Sequence, residues 1–294
     1  MQTKQQIQQI LASVGARPDK KLGQNFLIDI NLIKFLLDKA AITKNDTVFE
    51  IGCGTGTLTE GLAELAGAVV VVEYDRLLSI TVRQMFSDRP NVTVINGDAL
   101  HGKNAINVEA VDLMEQHHKR LGGRLLLVAN LPYNIAASAM MNLVVSSPFA
   151  DAMYVTIQKE VAQRMAAAAG DELYGILSVV MGATGHVKML RKLGPDVFWP
   201  APTIDSAMVE YVRDERKIAA IADMDVFRAV VSLFMGHRRK MLKACTKLAD
   251  DRLCNVQDWP GVFERANIDP QLRAEKLSPE QFVALANAAA AAMG

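Results

Sequence analysis

TVFEIGCGTGTLT, residues 47–59, places an apolar run, a turn holding Gly52, Gly54 and Gly56, and the opening of a helical pattern end to end. An apolar run this short, bounded by glycines, reads as a buried strand, and the glycines allow a tight turn where main chain can approach a ligand closely. Outward from this stretch the alternation repeats. Apolar runs at residues 69–72, 92–95, 125–129 and 153–157 are separated by helical patterns. Upstream, Asp29 stands as an N-cap before Ile30, Ile33, Leu37 and Ala40 at helical spacing. Short apolar runs alternating with helices predict buried parallel strands, hence a doubly wound, Rossmann-like α/β sheet. After Glu210 the pattern changes, and residues 223–294 show helical periodicity with almost no β-branched runs. Two domains are therefore expected: residues 1–213, including an N-terminal arm, and a small all-helical domain over 214–294. Their joint is placed at the charged stretch Arg213-Asp214-Glu215-Arg216-Lys217, and the Ala-rich tail from Ala288 reads as a fraying helix end.

The 294 residues are 50% hydrophobic and 22% charged, which suits packed cores and excludes disorder or a coiled coil as a description of the whole. No apolar stretch approaches the roughly 18 to 20 residues of a membrane helix, and the opening MQTKQQIQQI lacks both the apolar core of a secretory signal and the Arg and Ser of a mitochondrial presequence. Cys53, Cys245 and Cys254 form no CxxC pair and leave an odd thiol, so a reducing compartment, the cytoplasm, is expected. No metal is expected either. His117 and His118 are adjacent and project apart on a helix, and no acid or cysteine completes a site; the pair reads as a solvated face.

Net charge is zero, but its distribution is uneven. Residues 1–44 hold 7 basic and 3 acidic side chains, while 45–115 hold 4 and 11. Residues 228–249 carry Arg228, Arg238, Arg239, Lys240, Lys243 and Lys247 with no acid at all. The i, i+4 spacing of Arg239 and Lys243 puts part of this charge on one helix face, so a polyanion can be met here and by the N-terminal arm.

The dinucleotide-binding fingerprint wants a glycine at position 57, where Thr57 stands. The form E-x-G-x-G-x-G instead resembles the S-adenosylmethionine enzymes of the doubly wound class, with a nicotinamide site as the alternative. Glu73 ends the run VVVVE, where an acceptor-only carboxylate can bind both ribose hydroxyls of a nucleoside cofactor. Asp98 ends the next run and is either an acceptor for the adenine amine or a turn residue only.

Asn130-Leu131-Pro132-Tyr133 follows LLLVA and so lies at the carboxyl edge of the sheet, where such folds bind ligands. An adenine amine is a poor nucleophile because its lone pair is delocalised into the ring. The Asn130 side-chain carbonyl and the Leu131 main-chain carbonyl can accept its two N–H bonds and favour a pyramidal nitrogen. Pro132 stiffens the turn, and Tyr133 offers a ring face for a base. Phe198 and Trp199, followed by Pro200-Ala201-Pro202, can cover the base's opposite face or serve as a core-packing loop.

Gln24-Asn25-Phe26-Leu27, EIGCGTGTLT, NLPYNI, QKEVAQRM, YGILSV, FWPAPTIDSAMV and RAEKLSPEQF resemble, in order and spacing, the ribosomal RNA adenine N6,N6-dimethyltransferases, and within them the bacterial small-subunit (16S) branch linked to kasugamycin resistance. The resemblance implies a doubly wound methyltransferase domain with a helical rRNA-binding domain, acting as a monomer on rRNA of an immature 30S particle. S-adenosylmethionine would be the methyl donor and two adjacent adenosines near the 3′ end of the small-subunit rRNA the acceptors. Carried over by position, Asn25, Leu27, Gly52 and Gly54 would line the cofactor, Glu73 would hold its ribose and Asp98 its adenine. Asn130 would stand between cofactor and target amine beside Leu131, with Tyr133 and Phe198 stacking on the base, and Arg238, Arg239, Lys240, Lys243 and Lys247 would meet rRNA. Two departures stand out: Phe234-Met235-Gly236-His237-Arg238-Arg239-Lys240 has one residue more than the family's F-x-x-R-R-K, and MGATGHVKML replaces a more aromatic hairpin strand. The competing readings are a large-subunit rRNA methyltransferase of the macrolide-resistance type and a mainly non-catalytic assembly factor.

Overall fold

The computed structural model describes residues 1–19, 22–102, 105–146, 149–249 and 251–293. Nine strands are assigned among them: β1 (Phe26–Leu27), β2 (Thr47–Ile51), β3 (Ala68–Glu73), β4 (Val92–Asn96), β5 (Leu125–Asn130), β6 (Ala152–Gln158), β7 (Gly185–Leu193), β8 (Phe198–Trp199) and β9 (Ser206–Arg213). Seven form one sheet in the order β4-β3-β2-β5-β6-β9-β7, while β1 and β8 pair separately. The pairs β2–β3, β2–β5, β3–β4 and β5–β6 are parallel, and β9 returns antiparallel along β6. β2, β3 and all of β5 but its last residue are buried along their whole length, as expected of strands with helices on both faces.

Strand order reverses between β2 and β5, the place where doubly wound sheets open a crevice for ligands. Asp46, just before β2, fixes this junction. Its side chain is 3% exposed, accepts from the main-chain N–H groups of Thr43 and Arg124, and pairs with the Arg124 guanidinium at 2.7 Å. These contacts hold its carboxyl below the usual aspartate range despite the opposing effect of burial. Asp29 caps the helix Ile30–Ala40 by accepting from Asn31 and Leu32 N–H, and that helix buries Leu32, Ile33, Leu36 and Leu37.

The chain divides into two compact units, Met1–Ala162 with Lys188–Val212, and Gln163–Val187 with Arg213–Gly294. Residues 163–187, read from sequence as part of the first domain, thus pack with the C-terminal helices. The physical cause is the helix Ile176–Thr184, buried at Leu177, Val179, Val180, Met181 and Ala183, which lies against Met224–Gly236 and Pro279–Ala291. In this second unit Phe234 meets Trp259 and Phe263 edge-on, with ring centroids 5.7 and 6.2 Å apart.

The charged stretch 213–217 stands where the first unit ends at Val212 and the second resumes at Arg213, and it forms a capped helix, Glu215–Ala219, whose N-cap Asp214 accepts from Arg216 and Lys217 N–H. Three local expectations differ from the structure. The Ala-rich tail does not fray at Ala288: the helix runs to Ala291 with Ala288 and Ala289 buried. MGATGHVKML spends its first four residues finishing the helix Ile176–Thr184 before β7 begins. His117 and His118 are half-buried rather than solvated, and burial pushes the His117 imidazole down.

Candidate active site

A cavity of about 310 Å³ opens at the carboxyl ends of β2, β3 and β5. Its wall includes Asn25, Leu27, Gly52, Gly54, Glu73, Asp98, Asn130, Leu131 and Tyr133, so nine residues singled out from sequence meet in one place. The glycine turn is built for close approach. Gly52 and Gly54 have φ of +74° and +58°, and a Cβ on Gly54 would stand 2.7 Å from the Phe26 ring. A Cβ on Gly52 would press on Pro132 at 3.1 Å, so this glycine lets the first turn and the Asn130–Tyr133 turn come together.

Glu73 is 5% exposed and held in place from both ends of its carboxylate: Oε2 accepts from Gly54 N–H and Oε1 from Asp75 N–H, each at 2.9 Å. Burial raises its pKa, and the two main-chain donors offset part of that rise. Oε2 also takes the Cys53 thiol at 3.8 Å, so Oε1 is the oxygen with a lone pair left for a ribose hydroxyl. Asp98 is exposed and its Oδ1 accepts from Leu100 N–H at 2.9 Å, so it makes a turn and lines the cavity at once.

Asn130 ends β5, and its Nδ2 donates to the main-chain carbonyl of Asn25 at 2.8 Å. This bond uses one of the two Nδ2 hydrogens and decides which end of the amide is which, so that Oδ1 is the end placed to accept. Leu131 N–H donates to Thr156 O at 3.1 Å, and Ile135 and Ala136 N–H both donate to Pro132 O, so the turn carrying these groups is pinned by main-chain bonds. The Tyr133 hydroxyl lies 2.6 Å from Ser206 Oγ, and burial raises the phenol's pKa.

Phe198 is the residue the structure does not bring here. It is 3% exposed, sits in the core with Leu27, Ile33 and Leu193, and is absent from the cavity wall. The cause is β-pairing: β8 lies along β1 with Leu27 opposite Phe198 and Phe26 opposite Trp199, and Trp199 stacks on Phe26 at 6.2 Å. In this conformation the segment takes the core-packing alternative rather than a base clamp.

Two wall features lay outside the sequence assignments. Glu50 is 1% exposed, lines the cavity and accepts from Thr59 Oγ1 at 2.7 Å. Burial, helped by the nearby Glu73, pushes its carboxyl up to about 8. Its signal was present as the first letter of E-x-G-x-G-x-G. The Asn25 carbonyl, by contrast, is main chain, and no side-chain pattern announces it.

Arg238, Arg239, Lys240, Lys243 and Lys247, the five cations assigned to rRNA, are all exposed, yet they do not share a helix face. The helix Met224–Gly236 stops before them. Arg239 lies in the following turn, Lys243 belongs to Leu242–Cys245 and Lys247 to the 3-10 turn Thr246–Leu248. Arg238 is partly occupied, its Nη1 donating to the carbonyls of Glu172 and Tyr174 at 3.1 Å each. Among the described residues Arg239, Lys240, Lys243 and Lys247 have no acidic partner. Among the same residues no group of three His, Cys, Asp or Glu side chains stands at metal-binding distance, and no helix is long and apolar enough to cross a membrane.

The ribosomal RNA adenine dimethylase family model matches residues 15–291. Ribosomal RNA small subunit methyltransferase A of Streptomyces griseus is 34% identical over 292 residues, spanning 95% of this chain and 92% of that protein. Its counterpart of the same name from Clostridioides difficile is 37% identical over 270 residues, spanning 91% and 89%. Among solved structures, a dimethyladenosine transferase from Plasmodium falciparum has a TM-score of 0.69 at 23% identity, covering 87% of this chain and 94% of that one. The 23S rRNA methyltransferase ErmE has a TM-score of 0.61 at 22% identity, covering 90% and 99%. Both structures are likenesses of fold alone. With a family match over nearly its whole length and relatives above 30% identity that span it, the chain belongs to the ribosomal RNA adenine dimethylase family.

Proposed function

We propose that this protein transfers methyl groups from S-adenosylmethionine to N6 of two adjacent adenosines near the 3′ end of small-subunit (16S) rRNA, giving N6,N6-dimethyladenosines during ribosome biogenesis. The observation that carries the chemistry is the Asn130 amide, whose nitrogen is oriented by its bond to the Asn25 carbonyl, which leaves Oδ1 as the acceptor for an amine. The family and the small-subunit methyltransferases it resembles supply the substrate class.

The residues present fit the cofactor. Glu73 offers a fixed carboxylate for ribose hydroxyls, Asp98 an acceptor at the adenine end, and Gly52 and Gly54 a positive-φ turn that bares main chain at the cavity wall. Asn25 and Leu27 complete that wall. When bound, S-adenosylmethionine supplies an electrophilic methyl group. The chain's own work is on the acceptor. Asn130 Oδ1 and the Leu131 carbonyl take the two amine hydrogens, which draws the nitrogen lone pair out of conjugation and aims it across the cavity. Tyr133 supports the base. The proton released from nitrogen passes to water, so positioning does what a general base would otherwise do.

rRNA is held separately by the exposed cations Arg239, Lys240, Lys243 and Lys247, with Arg238 contributing less because its guanidinium already serves two carbonyls. The division of labour is a methyltransferase body over residues 1–213 and an rRNA-binding region over 214–294, except that residues 163–187 belong by packing with the second rather than the first. The substrate form is an immature 30S particle and the working state a monomer; sedimentation of the enzyme alone checks the latter. Three free cysteines support a cytoplasmic setting. Incubation of undermethylated small subunits with labelled cofactor, followed by mass mapping of adenosines, tests the function. Label in two neighbouring adenosines near the 3′ end supports it, and an unmodified particle removes it.

A further inference from the structure

We propose that Ser206 is a positioning residue that holds the base-supporting ring of Tyr133, a role that rests on the function proposed above. The two hydroxyls are 2.6 Å apart. Ser206 has no solvent exposure and opens β9, where it pairs with Gln158 of β6, so its Oγ is carried by the sheet itself. At the other end of the ring, the Tyr133 main chain sits in the turn pinned by the Leu131–Thr156 and Pro132–Ile135 bonds. The ring is thus fastened at Cα and at its hydroxyl, and rotation away from the cavity wall must break a half-buried hydrogen bond and leave the buried Ser206 hydroxyl without it. The hydroxyl is spent on β9 and leaves the ring face for the base. Such a platform orders the base before chemistry, and its value lies in alignment of N6 with Asn130 rather than in affinity.

The test compares wild type, Ser206→Ala, Tyr133→Phe and the double variant on undermethylated small subunits, below the unfolding midpoint of each. Ser206→Ala is expected to lower kcat about 10-fold, with KM and calorimetric cofactor affinity within two-fold of wild type. It should also raise the share of N6-monomethyladenosine, because the singly methylated base must be seated again for the second transfer. Tyr133→Phe removes the same bond without touching a buried strand residue, so it should behave alike, and the double variant should be no worse than either. A merely structural serine would lower the unfolding midpoint and leave product ratio and kcat unchanged, which would overturn the role; so would effects that multiply in the double variant. Failure of the wild type to make any methylated adenosine would remove the function itself, and the role with it.

Discussion

Replacing Glu50 by Gln should flatten the pH dependence of stability in the cofactor-free protein. Glu50 is 1% exposed with one hydroxyl donor, Thr59. Burial is the main reason its carboxyl is pushed from 4.5 up to about 8; the Thr59 bond offsets part of this and the charge of Glu73 adds to it. A carboxyl raised on folding holds its proton more tightly in the folded protein than in the unfolded chain. Its contribution to stability is therefore fully present below about pH 4.5, declines as pH rises towards 8, and is constant above that. Within the window the slope approaches about 1.4 kcal/mol per pH unit, so the loss between pH 5 and pH 8 is about 4 kcal/mol as an upper figure. Gln keeps an oxygen for Thr59 and has no proton to lose. Urea unfolding of both proteins at several pH values reads the difference, and Glu73, present in each, largely drops out of it. The variant should gain on wild type steadily from pH 5 to 8. A difference that stays constant across that range would refute the reasoning, because Glu50 would then ionise alike in both states.

Glu73→Ala should weaken cofactor binding by roughly 1.5 to 3 kcal/mol, the worth of one or two bonds to a charged acceptor, and calorimetric titration with a folded variant checks it. Asn130→Ala should slow methylation on the order of 100-fold while cofactor affinity stays within a few-fold, read by single-turnover rates beside calorimetry. Reversing Arg239 and Lys243 to Glu should weaken small-subunit binding and make its salt dependence shallower by about two units of slope, with cofactor affinity unchanged. Arg238→Ala should instead lower the unfolding midpoint, since the carbonyls of Glu172 and Tyr174 lose their donor.

The parallel strands were legible because each is a short apolar run, and the residues of the cavity because they follow those runs directly: Gly52 after β2, Glu73 at the end of β3, Asn130 at the end of β5. What escaped depended on partners distant in sequence. Phe198 carries the same aromatic signal whether it clamps a base or fills a core, and only its pairing with Leu27 decides between them. The placement of residues 163–187 with the C-terminal helices rests on contacts of Ile176–Thr184 with Met224–Gly236 and Pro279–Ala291, far along the chain, which periodicity cannot see. Arg239 and Lys243 keep helical spacing in sequence, but the helix preceding them ends at Gly236 and the next begins only at Leu242, and spacing alone does not register that break. The orientation of Asn130 hangs on a main-chain carbonyl, a group every residue possesses.

In the proposed reaction the Asn130 turn methylates adenosine in the small subunit. Undermethylated small and large ribosomal subunits, offered together with labelled cofactor to wild type and Asn130→Ala, test it most directly. Label should enter two neighbouring adenosines of the small-subunit rRNA as dimethyladenosine, and the variant should supply almost none. Label in the large subunit, or equal label from the variant, would contradict the account.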